Sequence, residues 1–148
     1  MLKRPLLILS MIILIALLSY LDLLAFQYFW YWRLWWFDIV MHALGGVVLG
    51  LAGLWLYAVS NKAELRSLGA SRILLIALTA SLLFGVVWEF FGFGVERFYM
   101  SEVAFKSFAA LRVGFADSLG DILSDAAGAL LAALSVIVIL RWKKNKLR

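Results

Sequence analysis

Four stretches of the chain are long and apolar enough to cross a bilayer, and they leave few alternatives for the fold. They fall at about residues 6–25, 38–59, 73–93 and 117–140. A membrane helix requires about 20 consecutive apolar residues. Without water in the hydrocarbon, every backbone polar group must be satisfied inside its own segment, which favours helices. The expectation is an all-α, integral-membrane four-helix bundle forming one domain over residues 1–148. The chain is 66% hydrophobic and 16% charged. Soluble domains are nearer about 45–50% apolar and about 25% charged.

The first run follows Lys3 and Arg4 and resembles a secretory signal. It exceeds the usual apolar length of such a signal, and no small-x-small cleavage site follows, so it reads as a span. Residues 26–37 are mostly aromatic, with Trp30, Trp32, Trp35 and Trp36 among them. Trp and Tyr favour the headgroup zone. The segment reads as an interfacial anchor, and a platform for a lipid headgroup or acyl chain is equally compatible with its residues. Residues 94–116 alternate charged and apolar side chains, including Glu102 and Lys106. That pattern predicts a short interfacial helix before the last span. A basic tail, 141–148, closes the chain.

Basic residues set the expected orientation. Lys3, Arg4, Lys62, Arg66, Arg72 and the tail lie on one side of the four spans. Arg33, Arg97, Lys106 and Arg112 lie on the other. The richer side is expected to be cytoplasmic, which puts both termini there, in a bacterial-type inner membrane. The net charge of +5 is thereby explained by topology, and nucleic acid is not an expected partner. Membrane lipids are, and a transport function would require a homo-oligomer, because four helices are few for a monomeric transporter.

Gly46, Gly50 and Gly53 lie on one face of the second span. Ala77, Ser81, Gly85, Glu89 and Gly92 share a face of the third. Small residues at helical spacing let helices approach closely in lipid. The absence of cysteine rules out thiolate metal sites and cysteine nucleophiles, and the single histidine, His42, rules out multi-histidine centres.

The polar residues within the spans carry the functional question. Asp117, Asp121 and Asp125 recur at four-residue spacing and run into the last span. Each carboxylate near a span centre costs about 2.5–3.5 kcal/mol, so such a stripe needs an offsetting partner. Asp38 and His42 open the second span, and Glu89 ends the third. At a rise of about 1.5 Å per residue, His42 and Asp121 both lie roughly 6 Å below their helix starts, at the level of Glu89. Asp38 and Asp117 are also placed to cap helix N-termini. The others read either as a structural network, paired with Arg33, Arg97 or Arg112 or bonded to Ser and Trp partners, or as a functional site.

Three functions remain open. One is metal-assisted chemistry on an envelope lipid, with Asp38, His42, Glu89, Asp117, Asp121 and Asp125 as candidate ligands. His42, Glu89 and Asp121 would then act on the substrate. One imidazole among carboxylates suits Mg²⁺, Mn²⁺ or Ca²⁺, and Zn²⁺ less well. The second is a small oligomeric proton- or ion-coupled transporter. The third is a non-catalytic bundle that binds lipid or protein around a structural carboxylate network. Whether the chain is an enzyme is not decided by its residues.

The set Asp38, His42, Gly45 and Gly46, then Trp88 and Glu89, then Asp117, Asp121, Asp125 and Gly128 resembles the YjdF-like family of bacterial inner-membrane proteins. More broadly it is similar to the VanZ-like group linked to glycopeptide resistance. The resemblance spans roughly residues 35–140. It implies a membrane fold with a polar centre and no defined reaction. The family pattern places a second acid within a turn of Trp-Glu; here Phe93 stands there and the next acid is Glu96.

Overall fold

The computed structural model describes residues 4–62, 64–99 and 113–146. It forms an all-α bundle, with no strand among those residues. Helix α1 runs Arg4–Tyr28, and a single turn, α2, covers Trp30–Arg33. Helix α3 is Phe37–Ser60, a 3-10 turn covers Leu65–Ser67, α4 is Ala70–Tyr99 and α5 is Val113–Asn145. The portions Ile8–Tyr28, Phe37–Ser60, Ala70–Phe91 and Ala116–Trp142 are each long and apolar enough to cross a membrane.

Three of these helices make the core. Helix α5 packs most extensively on α3, then on α4, and α3 and α4 also pair. Helix α1 packs chiefly on α3 and stands beside the other three. Small residues decide the close pairing. A Cβ added at Gly46 would run into the Asp125 backbone, and one at Gly128 would run into the Ala43 carbonyl. The backbones of α3 and α5 therefore touch at this level. One turn on, a Cβ at Gly50 would lie 3.1 Å from Ala129 Cα. Gly53 instead faces Ala80 and Ile76 of α4. On α4, Ala77, Ser81 and Gly85 are buried, so the expected seam is the one that packs.

Away from that contact, Leu54, Ile73, Ala77, Ala133, Val136 and Ile137 form a continuous apolar cluster. The outward faces stay apolar: Val87, Phe90, Leu131 and Val138 are all exposed. In lipid such faces carry no penalty, because acyl chains are as apolar as the side chains.

The aromatic segment is folded rather than draped along the surface. Phe29 adopts a left-handed backbone (φ 58°) and breaks α1 from α2. The Tyr31 hydroxyl donates to Asp22 Oδ1 at 2.7 Å, and the Tyr31 ring meets Phe37 edge-on at 5.1 Å. Burial, reinforced by that carboxylate, holds the Tyr31 phenol well above its usual range. Phe37 is buried, whereas Trp35 is 83% exposed, so the corner turns one ring inward and leaves another outside.

The helices outrun the expected spans. Helix α4 continues from residue 93 to Tyr99, and α5 starts at Val113 and carries the basic tail helically to Asn145. Cations near a helix C-terminus interact favourably with the dipole, and Lys and Arg are good helix formers. Lys146 lies over the Trp142 ring, 4.1 Å from its centroid. The short helix expected within 94–116 falls partly on the end of α4 and the start of α5; residues 100–112 lie outside the described residues.

These contacts separate the glycines. Gly46→Leu forces α3 and α5 apart and is expected to lower unfolding stability in detergent by about 1–3 kcal/mol, as overpacking does. Gly120 has nothing within 4 Å of an added Cβ. Gly120→Ala is expected to hold or gain stability, by up to about 1 kcal/mol of helix propensity. Denaturant titration of both purified variants checks this, and equal losses would refute the packing assignment.

Candidate functional site

The polar residues gather at one end of the three-helix core, where α3 and α5 begin and α4 approaches its end. Asp38 lies in the first turn of α3, and His42 follows one turn deeper on the same face. Asp121 and Asp125 repeat that relation on α5. The tight α3–α5 contact brings the two pairs together.

His42 is the hub. Its Nε2 lies 3.8 Å from Asp38 Oδ1 and 3.7 Å from Asp121 Oδ2. Its Nδ1 lies 3.4 Å from Asp125 Oδ1. Asp38, His42 and Asp121 each offer a ligand atom, and those atoms fall within 4.8 Å of one another, close enough for one ion to reach all three. Access is graded: the Asp38 side chain is 39% exposed and that of His42 15%. Residues Asp121 and Asp125 are 7% and 4% exposed.

The remaining candidates form a rim. Glu89 of α4 accepts a hydrogen bond from the Ser118 hydroxyl of α5. Asp117 is exposed. Both lie within electrostatic range of Asp38 and Asp121. Every site residue expected from sequence is thus in one region, but in three settings: Asp38 and Asp121 beside Nε2, Asp125 beside Nδ1, and Glu89 and Asp117 outside both.

Neither Asp38 nor Asp117 is an N-cap residue, although Asp38, in the first turn of α3, still meets the positive end of the helix dipole. Trp36 occupies the N-cap of α3 with no side-chain cap bond, and Asp117 lies a full turn inside α5. Among the described residues, the ion pairs of this cluster are all with His42. The arginine partners considered for a structural network divide: Arg33 is exposed, and the side chains of Arg97 and Arg112 lie outside the described residues.

Sequence reading did not single out Ser118 or the hydrogen-bonding role of Ser81. Ser118 stands three residues before Asp121, a spacing that places it on the same face of α5 but does not name its partner on α4. Ser81 donates to the Asp125 backbone carbonyl at 3.0 Å. Its position in a run of small residues hid that bond.

The fold and its buried polar centre define a multi-pass helical membrane protein. The chain belongs to the family described as "Predicted membrane protein (DUF2238)", whose profile matches residues 3–142. No curated protein and no solved structure gives a match.

The Glu89–Ser118 bond joins α4 to α5 across the rim. A double-mutant cycle with Glu89→Gln and Ser118→Ala is expected to give a coupling of roughly 1.5–3 kcal/mol, the range for a hydrogen bond to a charged group. Additive stability losses would show that the two side chains act independently.

Proposed function

We propose that this protein binds a divalent cation between Asp38, His42 and Asp121, and uses it to act on an envelope lipid at the bacterial inner membrane. The convergence of those three ligand atoms within 4.8 Å carries the reading. Two carboxylates and one imidazole form a hard, oxygen-rich set suited to Mg²⁺, Mn²⁺ or Ca²⁺, with Zn²⁺ also accommodated. Charge supports a cation. Three further acids, Glu89, Asp117 and Asp125, surround the set, and clustered carboxylates in a low-dielectric region are costly without a counter-charge.

A bound ion would polarise a phosphoryl or carbonyl oxygen of the lipid. Glu89 is within the same region to move a proton. Asp38 is the accessible ligand and marks the mouth. On the basic-residue pattern both termini are cytoplasmic and the mouth opens outward, at the depth where lipid headgroups meet the acyl chains. The YjdF-like and VanZ-like resemblance agrees with an envelope role.

A transporter needs a route through the other half of the bundle. There, Leu54, Ile73, Ala77, Ala133, Val136 and Ile137 pack into one continuous apolar cluster. That favours a site open at one end over a continuous pathway.

Calorimetric titration of the purified protein with Mn²⁺ tests the ion. Wild type is expected to bind one equivalent, with Asp121→Asn and His42→Ala folded but losing that binding. In cells, Asp121→Asn and Glu89→Gln are expected to accumulate in membranes yet fail to restore the lipid profile of a deletion strain. A wild-type protein that takes up no divalent ion, or variants that bind as well as wild type, would sink the reading.

A further inference from the structure

Asp125 is the deepest acid of the cluster, and its surroundings differ from those of the other four. It faces His42 Nδ1, whereas Asp38 and Asp121 face Nε2. The two nitrogens of an imidazole point away from each other. An ion shared by Asp38, Asp121 and Nε2 is therefore on the far side of the ring from Asp125.

The seat of Asp125 is built by two other helices. A Cβ at Gly85 of α4 would collide with Asp125 Oδ2, and one at Gly45 of α3 would lie 3.8 Å from Oδ1. Gly46 admits the Asp125 backbone itself. Ser81, fully buried, fixes the Asp125 carbonyl through its 3.0 Å hydrogen bond. The carboxylate is held on both sides, at 3.4 Å from Nδ1. Contacts of this kind are often long until a site is filled, and then tighten.

We infer that Asp125 is a positioning residue: its carboxylate keeps a proton on His42 Nδ1 and thereby turns Nε2 towards Asp38 and Asp121. Which imidazole nitrogen is free to bind is set by the hydrogen bond that the other one makes. Metal-binding histidines commonly donate their second N–H to a carboxylate in this way. The consequence for metal binding rests on the cation reading above. The location of the proton does not.

His42 is the only histidine in the chain, so nitrogen-15 labelling of the imidazole reports one ring without assignment. The experiment uses the full-length protein in nanodiscs, first with chelator and then with Zn²⁺ or Mg²⁺. Before metal, Nδ1 is expected to carry a hydrogen-bonded proton. Asp125→Asn, whose amide oxygen still accepts, is expected to keep it. Asp125→Leu is expected to move the proton to Nε2 and to weaken Zn²⁺ binding about 10–100-fold. On adding Zn²⁺ to wild type, the Nε2 signal moves while Nδ1 stays protonated.

An unprotonated Nδ1 in wild type overturns the inference, and so does an Nδ1 signal unchanged by Asp125→Leu. Should Asp125→Leu not fold, the wild-type and Asp125→Asn spectra decide the matter. If Nδ1 holds its proton and neither Zn²⁺ nor Mg²⁺ moves either signal, the cation reading falls while the role of Asp125 stands.

Discussion

The backbones of α3 and α5 touch at Gly46 and Gly128, and the polar site depends on that contact. Each glycine lies against the other helix's main chain, so neither tolerates a side chain without separating the pair. In lipid the hydrophobic effect does little to pull helices together, and close packing of small residues takes its place. His42 lies one turn before Gly46, and Asp125 lies three residues before Gly128. The approach that seats the glycines therefore also delivers the imidazole to the carboxylates.

The bundle divides its two ends between different physical tasks. One end holds carboxylates, an imidazole and serine hydroxyls, of which Ser81, Asp121 and Asp125 are buried between helices. The other is a close apolar cluster around Leu54 and Ile73. Buried acids are expensive in a span. Here the two buried ones, Asp121 and Asp125, share one histidine, while Glu89 at the rim accepts from the Ser118 hydroxyl. Helix α1 takes little part in this core. Its clearest polar tie is the Asp22–Tyr31 hydrogen bond at the aromatic corner, close to where α3 begins.

Most of the fold was legible because membrane spans are read from length and hydropathy, which need no knowledge of neighbours. The faces of the second and third spans were legible for a similar reason. Helical periodicity places Gly46 with Gly50, and Ala77 with Ser81 and Gly85, whatever they pack against. Helix ends were less legible. The dipole and the helix propensity of Lys and Arg carried α5 beyond its apolar run, and α4 similarly continued through Glu96 and Arg97. Asp117 read as a cap only because the start of α5 was placed too late.

By itself, the sequence determined the membrane, the number of apolar spans and the depth of the polar residues, since rise per residue converts spacing into depth. It could not decide which side of the His42 ring each acid would face. That depends on how far each helix is rotated about its axis, and the rotation is set by side chains from different helices meeting at once. Only the tertiary structure put Asp38 and Asp121 beside Nε2 and seated Asp125 among Gly45, Gly46 and Gly85 beside Nδ1. It likewise paired Glu89 with Ser118, a contact between residues far apart in the chain that no spacing within one helix encodes.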